Sequence, residues 1–264
     1  MALPPESELY AVADRLADAA RAATLRHFRK RDLGVQNKDA ANFDPVTRAD
    51  REAESAMRAI LAEDRPEDGV LGEEEAPRAS RSGLTWVLDP VDGTRAFVAG
   101  APSWGVLIAL DAGDGPILGV IDQPYIGERF WGGLGRAELV RDKRSTALQV
   151  RPCARLADAT LLTTFPEIGT AQERAAFEAV NGLCRLTRYG LDCYGYALLA
   201  LGQVDLVIEA GLAPYDIQAP IAVIEAAGGI VTDWQGNPAH RGGCAIAAGD
   251  PWLHEAALNV LNGV

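Results

Sequence analysis

The stretch W-V-L-D-P-V-D-G-T-R, Trp86 to Arg95, places two acids three residues apart around a proline, at the end of a short apolar run. On local chemistry it is turn punctuation, because Asp, Pro and Gly interrupt strands and an Asp before a Gly often caps a helix. It is equally the outline of a metal site. In a strand-turn-helix reading Pro90 ends the strand, the Val91 carbonyl loses its ladder partner, and Asp89 and Asp92 share one space where a cation could take all three oxygens. Gly93-Thr94-Arg95 then opens a helix whose free amides offer an anion site beside that cation. Which reading holds depends on the other acids of the chain.

The chain as a whole leaves room for either. Its 264 residues, 48% hydrophobic and 23% charged, suffice for one large domain or two coupled ones with a substantial core. A net charge of −12 argues against nucleic acid as a partner, which needs a basic face. A phosphorylated ligand would have to be neutralised locally, by cations or backbone amides. The opening M-A-L-P-P-E-S-E has neither the basic nor the apolar region of a secretion signal, and Cys153, Cys184, Cys193 and Cys244 form no C-x-x-C pair. No uncharged apolar run nears the roughly 18 residues of a membrane helix. These features predict a soluble cytoplasmic protein that avoids membranes.

Apolar spacing predicts an amphipathic helix from Glu6 to Arg29 and a second helix from Thr47, with Asp50 in its first turn, to about Glu63. Between them, Lys38 to Thr47 is a polar loop. Strands are expected at Thr85 to Leu88, Trp104 to Asp111, Ile117 to Ile121 and Arg129 to Gly132. Beyond about Thr146 helices and strands alternate. Strands are expected at Thr160 to Thr164, Asp205 to Glu209 and Ile230 to Thr232, and helices at Ala171 to Leu183, Tyr194 to Leu201, Tyr215 to Ala227 and Pro251 to Leu261. No Pro/Gly/Ser-rich linker divides the α+β half 1–146 from the α/β half 147–264, so one tightly packed unit is expected.

The available side chains narrow the chemistry. His27, His240 and His254 lie outside any H-x-x-x-H spacing, there is no G-x-S-x-G elbow, and no Walker loop is present. Carboxylates remain: Glu73 and Glu74 after a short apolar pair, Asp89 and Asp92 after a strand, Asp50 in a helical first turn, and Asp216 at the start of a late helix. Hard oxygen donors suit Mg²⁺ or Mn²⁺. A cation beside a helix amino terminus fits metal-assisted attack of water on a phosphate ester.

Gly72-Glu73-Glu74, D-P-V-D-G-T from Asp89 to Thr94, Pro214-Tyr215-Asp216 and A-A-G-G from Ala226 to Gly229, in this order, resemble the inositol monophosphatase superfamily over nearly the whole chain. The resemblance implies a layered αβαβα sandwich of two coupled subdomains, a Mg²⁺-dependent phosphatase with two or three metals per site (Mn²⁺ an alternative), and a homodimer. It implies Glu73, Asp89, Asp92, Asp216 and the Val91 carbonyl as metal ligands. Thr94 paired with Asp50 would activate the attacking water, Glu74 would help place a water held by the metal, and the Gly93 and Thr94 amides would hold phosphate. Lys38 matches a lysine near the family's active site, and is equally a mobile surface lysine.

The segments R-Y-G-L-D-C-Y-G-Y from Arg188 and V-D-L-V-I-E-A-G-L-A-P-Y-D from Val204 are most similar to the histidinol-phosphatase branch. Leu191 and the Pro220-Ile221-Ala222 string depart from that branch's usual pattern. Histidinol phosphate carries an amine, which Asp192 and Glu209 could meet as carboxylates. Otherwise Asp192 caps the helix near Tyr194 and Glu209 is a strand-end surface acid. The expected reaction is hydrolysis of a small phosphorylated metabolite, L-histidinol phosphate, in histidine biosynthesis. An inositol-1-monophosphatase, a 3′(2′),5′-bisphosphate nucleotidase and a non-catalytic metal-binding regulator are the alternatives.

Overall fold

A computed structural model of the chain describes residues 3–37 and 45–263. Two helices, α1 (Glu6–His27) and α2 (Arg48–Asp64), precede the first large sheet, with short strands β1 (Gln36–Asn37) and β2 (Pro45–Val46) between them. The start of α2 is fixed by Thr47, whose hydroxyl accepts from the Ala49 amide, while the Asp50 carboxylate accepts from the Thr47 amide at 2.9 Å.

Seven strands follow in spatial order equal to chain order: β3 (Gly69–Gly72), β4 (Thr85–Asp92), β5 (Gly105–Asp111), β6 (Pro116–Gln123), β7 (Glu128–Gly133), β8 (Arg136–Arg141) and β9 (Arg144–Ala147). Only β3 and β4 pair in parallel. A short helix α3 (Thr94–Ala99) leaves the end of β4. The second sheet runs β11-β10-β12-β14-β13, built from β10 (Thr160–Thr163), β11 (Leu186–Tyr189), β12 (Leu206–Leu212), β13 (Ile230–Thr232) and β14 (Gly243–Ala248). Helices α4 (Ala171–Asn181), α5 (Cys193–Ala200), α6 (Pro214–Ala226) and α7 (Pro251–Leu261) alternate with these strands.

The period of two along the strands builds the layers. Trp86 and Leu88 face the buried side of α1 and α2, with Leu9, Leu16 and Met57, whereas Val87 between them faces the middle of the molecule. On the second sheet Leu162 and Val207 join that same middle core, with Ala197 of α5 and Ile217 and Val223 of α6, while Leu161, Leu206 and Ile208 face outward onto Phe177 of α4 and Leu253 of α7. The result is helix, sheet, helix, sheet, helix: an α+β layered sandwich. Gly119 and Gly132 permit the close seating of α6, because a Cβ on either would collide with the α6 backbone at Ala219 and Ala222–Val223 respectively.

Seven described strands lie outside the sequence-based expectation: the two-residue β1 and β2, the short β3, and β8, β9, β11 and β14. β8 and β9 are poorly buried and rich in charge, and Asp142 and Lys143 join them with φ of 50° and 61°. This is a tight hairpin without the usual glycine signal. β11 is a largely exposed edge strand, and β14, Gly-Cys-Ala-Ile-Ala-Ala, is made mostly of small residues of weak strand propensity.

Candidate active site

Pro90 does not end its strand. β4 continues to Asp92 through a bulge: Asp89 pairs with Leu107 and Asp92 with Gly105, so Pro90 and Val91 together oppose Val106. The missing proline donor falls where the ladder is already interrupted. The freed Val91 amide donates to Asp89 Oδ1 at 3.0 Å, and the Val91 carbonyl accepts from Thr94 Oγ1 at 3.0 Å. Gly93 follows with φ of 83°, a left-handed turn into α3.

The bulge aims both acids toward Asp216. Carboxylate oxygens of Asp89, Asp92 and Asp216 all lie within 4.8 Å of one another. Asp216, in the first turn of α6, accepts from the Ala213 amide at 2.7 Å. The parallel register of β3 and β4 sets Gly72 opposite Leu88, so Glu73 emerges alongside Asp89. Burial, then the charges of Glu73, Asp92, Asp216 and Asp50, hold the Asp89 carboxyl well above the usual range. Asp92 is raised likewise, by burial and then by Asp192 and Asp216. A crowd of hard oxygen donors whose negative charges oppose one another fits a divalent cation.

Thr94 Oγ1 donates to the Val91 carbonyl and also lies 3.3 Å from Asp50 Oδ1, across 44 positions of sequence. The threonine and aspartate expected to act on water are therefore in contact. Glu74 lies on the turn after β3, its amide donating to Glu54 Oε2 at 2.7 Å. Lys38 falls outside the described residues.

Asp192 occupies the cap position of α5, yet its side chain makes no capping bond. With φ of 48° it turns away, accepts from Ser103 Oγ at 3.0 Å and packs against Gly93, where a Cβ would stand 2.6 Å from Asp192 Cγ. Burial raises its carboxyl. Glu209 is no surface acid: it is 8% exposed within β12, its Oε1 accepting from the amide and hydroxyl of Thr164 at 2.6 and 2.8 Å, its Oε2 from Thr163 Oγ1 at 3.2 Å. Burial pushes it up to about 7 against those bonds.

These groups line one cavity of about 460 Å³, shared by Glu73, Asp92, Gly93, Thr94, Asp192, Glu209 and Asp216. Arg95, Phe165 and Tyr215 line it too, the Arg95 guanidinium 4.9 Å over the Phe165 ring. Sequence reading assigned no role to Phe165, Ser103, Thr164 or Glu54. Only Glu54 carried a local signal, its spacing of four to Arg58, which donates to it at 2.7 Å.

A family model of the inositol monophosphatase family matches residues 6–262. The chain belongs to the inositol monophosphatase family. Such a member is a metal-dependent phosphatase, and the acidic cluster is where its residues can hold a metal. The chain is similar to the Arabidopsis thaliana protein named bifunctional phosphatase IMPL2, chloroplastic, at 41% identity over 262 residues, covering 95% of this chain and 74% of that protein. It is 37% identical to the histidinol-phosphatase of Mycobacterium tuberculosis over 253 residues, 94% of this chain and 95% of that one. Among solved structures, an inositol monophosphatase from Zymomonas mobilis superposes with a TM-score of 0.85 at 40% identity, covering 98% of this chain and all of that one. Among the described residues no helix is long and apolar enough to cross a membrane.

Proposed function

We propose that this family member is a Mg²⁺-dependent histidinol-phosphatase, releasing L-histidinol and phosphate from L-histidinol phosphate in histidine biosynthesis. The observation that carries the substrate is Asp192. A carboxylate that gives up its helix cap and turns toward Gly93, lining the same cavity as Glu209, supplies negative charge where a substrate ammonium would be received. A neutral polyol would gain hydrogen bonds there but no charge pairing. The similarity to the mycobacterial histidinol-phosphatase supports this choice, and that to the inositol monophosphatase from Zymomonas mobilis keeps inositol-1-phosphate as the competing substrate.

Glu73, Asp89, Asp92, Asp216 and the Val91 carbonyl would hold the metals. Mg²⁺ bound there would lower the pKa of water, orient the phosphate and neutralise the ester oxygen as it leaves. With the Val91 carbonyl turned to the metal, Thr94 Oγ1 would donate to Asp50 and accept a hydrogen bond from the attacking water, fixing the water in line and drawing its proton away. Glu74 would orient the same water from the neighbouring end of β3. The Gly93 and Thr94 amides would receive phosphate oxygens at the start of α3. The water oxygen forms the new P–O bond, the ester P–O bond breaks, and the histidinol oxygen takes up a proton. Glu209 lies on the second sheet and Asp192 at the start of α5, whereas Gly93 and Thr94 follow the end of β4 in the first sheet, so the substrate would lie across the junction.

The deciding experiment compares kcat/KM for histidinol phosphate, inositol-1-phosphate and adenosine 3′,5′-bisphosphate in Mg²⁺. Histidinol phosphate should lead. A preference for inositol-1-phosphate overturns the substrate and leaves the phosphatase standing.

A further inference from the structure

We infer that Glu54, buried in α2, is a positioning residue of the metal site: it holds the turn that carries Glu73 and Glu74. The inference rests on the proposed reading of Glu73 as a ligand. Glu54 is one helical turn beyond Asp50, so both project from the same face of α2. Asp50 reaches Thr94 and Glu54 reaches the turn after β3.

Glu54 is 0% exposed. Its Oε2 accepts from the Glu74 amide at 2.7 Å and its Oε1 from the Glu75 amide at 3.1 Å. Two consecutive amides immediately after Glu73 are thus held by one carboxylate. Arg58 completes the arrangement, its Nε donating to Glu54 Oε1 at 2.7 Å and its terminal nitrogen to the Glu75 carbonyl at 2.9 Å. β3 stops at Gly72, so these amides have no ladder to join. Gly72 itself makes room, since a Cβ there would collide with the Glu54 carboxylate.

The physical case is one of cost. A buried carboxylate is retained only where its bonds offset its desolvation. A buried apolar side chain of similar volume would leave both amides unsatisfied and the turn free to shift. Because Glu73 directly precedes these amides, rotation of the turn moves its side chain away from Asp89. Groups that orient a metal ligand in this way govern affinity for the metal more than the chemistry that follows.

Mn²⁺ binding alone, read by the electron paramagnetic resonance of free Mn²⁺ against the full-length chain, tests this together with melting temperature. Glu54→Gln offers one oxygen and turns an NH₂ on the other amide. It should weaken Mn²⁺ binding by about tenfold or more, with kcat at saturating metal much less affected. Arg58→Gln keeps both amide bonds to Glu54 and loses the ion pair and the bond to the Glu75 carbonyl, so it should lower the melting temperature while Mn²⁺ affinity stays within about twofold. Should Glu54→Gln not fold, Gly72→Ala displaces the carboxylate without removing it and must reproduce the weaker binding. Parent-like Mn²⁺ affinity in the folded Glu54→Gln or Gly72→Ala variant overturns the inference, as does loss in Arg58→Gln matching its lost stability. Glu73→Gln separates the underlying reading: if it binds Mn²⁺ like the parent, the ligand assignment has failed, whereas weak binding there with normal binding in Glu54→Gln refutes the positioning role alone.

Discussion

Asp92 Oδ2 accepts the backbone amide of Cys193 at 2.6 Å, across 101 positions of sequence. One carboxylate thus stands at the end of β4 in the first sheet, among the acids of the metal cluster, and also ties the start of α5 to that sheet. The assembly of the site and the seating of the second half share this bond. Asp192, the residue that would ordinarily cap α5, is released by it to face the cavity.

Asp92→Asn should uncouple the two roles. Its amide oxygen can still accept from Cys193, while one negative charge leaves a crowded cluster. The metal-free variant should melt at or above the parent temperature, because burial and like charges already oppose ionisation of Asp92. With free Mg²⁺ at a hundredfold excess over its Kd, the parent protein should gain about 2.7 kcal/mol. Calorimetry with and without chelator should show most of that gain missing in the variant.

Thr94→Ala should lower kcat by about 10²- to 10⁴-fold with little change in KM, if Thr94 serves the attacking water. Asp50→Asn should fall in the same range. Since the two are in contact at 3.3 Å, the double variant should be hardly slower than the worse single one. Steady-state phosphate release on all three variants checks this, and additive losses would contradict a shared role.

Glu209 makes stability depend on pH. Its folded-state pKa, about 7, lies above the ordinary carboxylate value, so between the two the folded chain holds more protons than the unfolded one. Stability should fall as pH rises through that window, by on the order of 3 kcal/mol from this group once pH exceeds its folded pKa. Glu209→Gln should remove this slope, since an amide can keep the Thr164 bonds through its oxygen and donate to Thr163. Denaturant titrations at pH 5 and pH 8 report it. If Glu209 pairs the ammonium of histidinol phosphate as proposed, kcat/KM for that substrate should rise with pH through about 7 as its carboxylate forms, and Glu209→Gln should flatten that limb.

Asp192→Asn should raise KM for histidinol phosphate by roughly 10- to 100-fold, the worth of one charge-assisted contact. Inositol-1-phosphate should respond far less. Ser103→Ala, which removes the hydroxyl 3.0 Å from Asp192, should shift selectivity in the same direction by a smaller factor. Equal losses for both substrates would mean that Asp192 supports the fold and not the choice of substrate.

The legible part of the site was the part encoded at short range. Thr47 and Asp50 form their cap within one helical turn, and the four-residue D-P-V-D places two acids on one bulge. Even there, Pro90 read as a strand end, because its lost donor is a local fact while the bulge that absorbs it depends on where β5 lies. Ser103, Thr164 and Glu54 carry ordinary residue types at ordinary positions. They became visible only when distant elements brought them to Asp192, Glu209 and the Glu74 amide.

By itself the sequence determined the alternation of apolar residues that sorts side chains into layers, the carboxylates available to a hard cation, and the family to which their order belongs. The tertiary structure decided which of those carboxylates meet. Asp89, Asp92 and Asp216 converge because β4 bulges and α6 seats against Gly119 and Gly132, while Glu73 joins through the parallel register of β3. Hydrophobic pattern is a property of neighbours along the chain, but the approach of Asp92 to the Cys193 amide across 101 residues is set by sheet register and packing, which no short window contains.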